Sequence, residues 1–159
     1  MNKEKHCQSC LDNKDSIFYS LPQKEKEILL KNHICAAYKK GEIIYKEGGK
    51  PSGLICLSSG KVKIYKEGVG GRQQIVRLVR PVGFIGFRAM FANQKYSGTA
   101  LAIEDSTVCV LNKDSVYKVL KLNGGLAIKV TPSTFFWNIA ILQRASQMAS
   151  CSSSKISEG

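Results

Sequence analysis

Two groups of residues in this 159-residue chain have types and spacing that could do chemistry. The first is Cys7 and Cys10 in "HCQSC". Thiols separated by two residues readily share a metal ion or an iron–sulfur centre, or they interconvert with a disulfide. Spacing alone leaves those roles open beside that of two inert thiols. Four more cysteines follow: Cys35, Cys56, Cys109 and Cys151. The opening "MNKEKHCQSCLDNKD" is polar and lacks the apolar run of a signal peptide, so the six cysteines read as reduced thiols or ligands and not as a disulfide framework. Cys56 lies inside the apolar run "GLICL" and reads as core, as does Cys35. The second group is the stretch "GFIGFRAMFANQKYSGTA", Gly83 to Ala100. Two glycines ahead of a helix-compatible run suit a loop that holds a small group against a helix start.

Enzyme chemistry is not expected. His6 and His33 are not spaced as a metal pair, and no nucleophile elbow, Walker loop or zincin pattern occurs. "GVGGRQQ", Gly68 to Gln74, lies between two strand-like segments and lacks the helix and lysine of a phosphate loop, so it reads as a hairpin turn.

The elements that must position these groups follow from hydrophobic patterning. "SLPQKEKEILLKN" predicts a helix from about Leu21 to Lys31, with Ser20 as cap, Pro22 in the first turn and Gln23 at the capping-box position. From Ile34 to Leu111, "HICAAY", "EIIY", "GLICL", "KVKIY", "QQIVRLV", "GTALAI" and "TVCVL" are short β-rich pieces. They recur at roughly 8 to 12 residues between Gly, Pro, Ser and Asp clusters, as in an antiparallel sandwich or roll. In "KVKIY", Val62 and Ile64 are expected on the dry face, with Lys61, Lys63 and Tyr65 on the wet one. "FRAMFANQ" predicts a helical turn inside the β region. "KDSVYKVLKLN" predicts a helix with Val116, Val119 and Leu120 on one side and Asp114 near its positive end. Beyond Asn123 a Thr131-Pro132-Ser133 break, an apolar patch from Phe135 to Leu142 and a Ser-rich end from about Ser146 read as an atypical, finally disordered tail.

The chain carries 24 Lys and Arg against 12 Asp and Glu, a formal +12. The cations are scattered, so they describe a solvated basic surface more than a nucleic-acid footprint. No run reaches the ~18 apolar residues of a membrane span, which points to a cytoplasmic protein without a membrane partner.

The order "YKKGEIIYKEGGKPSGLICLSSGKVKIYKEG", "IVRLVRPVGFIGFRAMF" and "ALAIEDSTVCVLNKDSVYKVL", with Gly41, Gly48, Gly60, Gly83 and Gly86 at its turns, resembles the effector domain of the catabolite-activator and fumarate-nitrate-regulator (CRP/FNR) family of bacterial transcription factors. The resemblance covers Leu21 to Leu122. It implies a mainly β, jelly-roll fold (a double-stranded β-helix, the eight-stranded cyclic-nucleotide-binding β-roll), a phosphate-binding cassette, a dimerisation helix and a DNA-reading helix-turn-helix. The expected organisation is a leader over 1–20, the effector domain over 21–122 and an atypical tail over 123–159. No helix-turn-helix is recognisable in that tail, and Pro132 interrupts the expected dimer helix, so the end resembles a truncation or frame-shift. DNA would then be reached only through a missing C-terminal domain, with a homodimer and a small-molecule effector as the other implied partners.

The same resemblance places a ligand-reading Glu after the first cassette glycine and a phosphate-reading Arg before Ser97. This chain has Phe84 and Tyr96 at those positions. Gly83, Phe84, Ile85, Gly86, Arg88, Tyr96 and Ser97 therefore form a degenerate cassette. An aromatic-filled pocket is expected ahead of a different small ligand or conventional cyclic AMP binding. For the thiols, the resemblance makes Cys7, Cys10 and Cys109 candidate ligands of an iron–sulfur cluster whose fourth ligand is missing, with Cys35 or His6 as substitutes. The expected function is the sensory domain of a transcriptional regulator; an iron–sulfur or redox sensor and a stand-alone interaction module are the alternatives.

Overall fold

A computed structural model describes residues 8–126. Contacts divide the chain after Leu122, and every element below lies in the first unit. The elements run α1 (Gln23–Leu30), β1 (Ile34–Tyr38), β2 (Ile43–Tyr45), β3 (Gly53–Ser59), β4 (Val62–Glu67), a 3-10 turn (Val69–Gly71), β5 (Gln73–Val79), β6 (Phe84–Ile85), α2 (Phe87–Phe91), β7 (Thr99–Ala102), β8 (Ser106–Asn112) and α3 (Lys113–Leu122). The eight strands pair antiparallel in two four-stranded sheets, ordered β1-β8-β3-β6 and β2-β7-β4-β5. This is the mainly β roll that strand spacing implies.

Both sheets supply the core. Ile55, Leu57, Ile85 and Val108 come from the first sheet, and Val62, Val79 and Ala100 from the second; Tyr38, Ile44, Tyr45 and Ile64 pack against them. Period-2 alternation makes this possible, because it directs every second side chain to the inner face. In β4, Val62 and Ile64 face the core as expected. Tyr65, however, is buried, with the Lys63 ammonium 5.2 Å from its ring centroid, so the face expected to be wet is covered there.

Both helix ends differ from simple capping arithmetic. The N-cap of α1 is Pro22 and carries no side-chain bond, so the helix begins later than the Ser20 cap of the capping-box reading requires. In α3 the cap is Asn112, whose Oδ1 accepts from the backbone N–H of Asp114 at 2.9 Å and of Ser115 at 3.3 Å. Val116 and Val119 of α3 are buried, and α1 packs against this helix.

From residue 8 onward the polar opening segment packs into the fold. Residues 8–11 are helical, and Cys10, Leu11, Ser16, Phe18 and Leu21 are all buried. Lys26 of α1, only 11% exposed along its side chain, holds Asp12 of this segment at 2.7 Å. The expectations for Pro132 and for Ser146 onward lie outside the described residues. Among the described residues, no helix is long and apolar enough to cross a membrane.

Candidate functional site

The turn from β5 into β6 sets up the cassette. Val82 sits at φ +69, a left-handed conformation that a β-branched side chain rarely adopts. Backbone bonds hold it there: Val82 N–H donates to Leu57 O at 2.7 Å, Leu57 N–H to Gly83 O at 2.9 Å and Gly83 N–H to Arg80 O at 3.0 Å. Two residues of β6 follow, and Gly86, at φ +67, starts α2.

Tyr96 closes the space beyond Gly86. Its ring, 6% exposed, stacks on Tyr45 with centroids 3.7 Å apart and planes 15° apart, and a Cβ on Gly86 would collide with it. The backbone fixes the position, since Gly48 N–H donates to Tyr96 O and Tyr96 N–H to Gly49 O, each at 2.8 Å. Burial pushes both phenols above the ordinary tyrosine range. At Tyr45 the neighbouring Tyr96 adds to that effect, and Arg77 opposes it. Both rings are therefore neutral near pH 7, and an anion finds hydroxyls here in place of a fixed cation.

A cation does approach from another element. Arg77 of β5 is half-buried, with its guanidinium carbon 5.9 Å from the Phe87 ring centroid; burial lowers its pKa, and Tyr45 partly offsets that. Sequence reasoning missed Arg77 and Phe87 as site residues. The available signal was an arginine inside the apolar strand "QQIVRLV", where burial of its stem is unavoidable. Arg77 also lines an open cleft of about 370 Å³ together with Asp15, Arg80, Val82 and Gly83.

The structure brings Gly86 and Tyr96 together and places Phe84 elsewhere. Phe84 packs edge-on against Phe18, with centroids 5.4 Å apart, and so holds the opening segment in place of facing Tyr96. Ile85 is fully buried in the core. Gly83 is needed for close packing, because a Cβ there would lie 2.6 Å from Val79 Cγ1. Arg88 is half-buried in α2, whereas Ser97 is exposed beside the buried Tyr96.

The cysteines form a file across the first sheet. Cys109 of β8 is the register partner of Cys35 in β1 on one side and of Cys56 in β3 on the other. Cys35 Sγ lies 3.3 Å from Cys109 Sγ, and Cys109 carries a disulfide. Cys10 extends the file from the opening segment. Its thiol donates to Leu57 O at 3.9 Å, and the neighbouring Cys56 thiol lowers the Cys10 pKa to about 7 against the opposing effect of burial, while that of Cys56 is raised. Cys7 lies outside the described residues. Among the described residues, no three His, Cys, Asp or Glu side chains are placed to hold a metal ion.

The profile of the cyclic nucleotide-binding domain family matches residues 36–123. The anaerobic regulatory protein of Aggregatibacter actinomycetemcomitans is 30% identical over 112 residues, covering 69% of this chain and 42% of its own length. The cyclic AMP receptor protein of Thermus thermophilus is 23% identical over 105 residues, covering 66% of this chain and 49% of its own. The chain thus spans less than half the length of these relatives. Among solved structures, the sensor domain of the transcriptional regulator DNR from Pseudomonas aeruginosa superposes with a TM-score of 0.75 at 22% identity, over 92% of this chain and 95% of that one.

Proposed function

Since the chain belongs to the cyclic nucleotide-binding domain family, and its relatives include regulators of the CRP/FNR type, we propose that it is the non-enzymatic sensory domain of a cytoplasmic transcriptional regulator that does not answer to cyclic nucleotides in the conventional way. One observation carries this reading: Tyr96 stands where the resemblance requires the phosphate-reading arginine, and its ring is stacked on Tyr45 against Gly86. A cyclic phosphate is a monoanion. Enclosing it costs several kcal/mol of lost hydration unless a cation and N–H donors replace the water. Two neutral phenols do not replace a guanidinium, and their stack occupies the space. As a sensor, the roll would act through the differential affinity of its effector for two arrangements of the regulator. The reading is tested by isothermal titration of the chain with cyclic AMP and cyclic GMP. No heat of binding is expected at micromolar ligand, and micromolar affinity for either nucleotide overturns the reading.

A second reading, sensing through sulfur at Cys7, Cys10 and Cys109, is favoured by the row of cysteines that Cys10 joins, in which Cys109 is already disulfide-bonded while Cys10, Cys35 and Cys56 are thiols. A cluster needs four thiolates around one centre, and the described sulfurs run in a line. That arrangement suits pairwise thiol chemistry better than a cluster. Iron and sulfide analysis after oxygen-free purification separates the two branches: stoichiometric iron and sulfide support a cluster, and their absence leaves the redox branch.

A further inference from the structure

We propose that Cys10 and Cys56 are an oxidisable pair that closes to a disulfide, tying the opening segment to strand β3. This sharpens the redox branch of the sulfur reading, on which it rests, by giving Cys10 a partner across the fold in place of its sequence neighbour Cys7. The two residues are far apart in the chain, yet their thiols converge on the same carbonyl, Leu57 O, at 3.9 Å from Cys10 Sγ and 4.0 Å from Cys56 Sγ. Both residues are buried, at 3% and 1% exposure. A buried site accepts a neutral product more readily than a charged one, and a disulfide is neutral. Closing it requires the two sulfurs to approach to about 2.05 Å.

The chemistry balances with a hydroperoxide as oxidant. The Cys10 sulfur attacks the terminal peroxide oxygen, the O–O bond breaks, and the remaining oxygen leaves as alcohol or water with the thiol proton. Cys10 is then a sulfenic acid. The Cys56 sulfur attacks the Cys10 sulfur, the S–O bond breaks, and the hydroxyl leaves as water with the Cys56 proton. The consequence reaches the cassette, because Cys56 is the register partner of Phe84 and Phe84 packs on Phe18 of the segment being tied down.

The test is disulfide mapping on the full chain. Fully reduced protein is treated with hydrogen peroxide, remaining thiols are alkylated, and a non-reducing digest is analysed by mass spectrometry. A dithiothreitol-sensitive Cys10–Cys56 peptide is expected, with loss of the alkylated Cys10 peptide, and the link should persist in Cys7→Ala. A Cys7–Cys10 link, or disappearance of the Cys10–Cys56 link in Cys7→Ala, overturns this pairing while leaving the redox branch standing. If all the thiols survive oxidant treatment, both fail.

Discussion

At Gly86 two constraints coincide: a left-handed backbone and an aromatic ring where a side chain would go. They can be separated by experiment. Gly86→Ala should cost about 2 kcal/mol, of which ~1 kcal/mol is the backbone penalty and the rest the collision with Tyr96. In a Tyr96→Ala background the collision disappears, so the same change should cost only about 1 kcal/mol. Urea denaturation of the four chains gives the coupling directly. Equal costs in the two backgrounds would mean that the ring yields freely, and the packed aromatic stack could no longer be invoked against a nucleotide. The identity of Tyr96 was legible in the sequence through its place before Ser97. Its partner was not, because Tyr45 lies in β2 and meets Tyr96 only when β2 pairs with β7.

Among the elements, seven strands were readable because each is a short β-rich piece bounded by turn residues. The exception is β6, whose two residues are too few for any period to show. Its partners reveal it instead, since Ile55 and Cys56 of β3 pair with Ile85 and Phe84. Helix α3 was also readable from its apolar spacing, but its start was not. Attention falls on Asp114 as the charged residue of the first turn, whereas Asn112, the last residue of β8, makes the capping bonds. Asn112→Ala should therefore lower stability by about 1 kcal/mol, while Asn112→Asp should retain most of it, because an aspartate supplies the same acceptor and suits the helix dipole. Thermal unfolding of the two variants separates a capping role from a merely spatial one. Equal losses in both would contradict the cap.

For the molecule as a whole, the opening segment is where composition and structure part most clearly. Its residues read as a polar leader, and the few apolar ones fall at irregular spacing, so no amphipathic period announces burial. Three-dimensional contact alone shows that Leu11 and Phe18 are as deeply buried as residues of the roll, that Phe18 covers Phe84, and that Asp12 anchors to Lys26. Fully burying a Leu or Phe side chain stabilises by roughly 1.5–3 kcal/mol. A chain starting at Leu21 loses both, together with the Cys10 contact, and leaves Lys26 without its carboxylate. The expected loss is then on the order of 3–5 kcal/mol, a large part of the 5–15 kcal/mol typical of a domain. Such a truncation should unfold at a markedly lower urea midpoint and with a smaller m-value, because less surface is hidden to begin with. If the segment were only an appendage, the shortened roll would keep the midpoint of the full chain, and a disulfide between Cys10 and Cys56 would have no structural lever to act on.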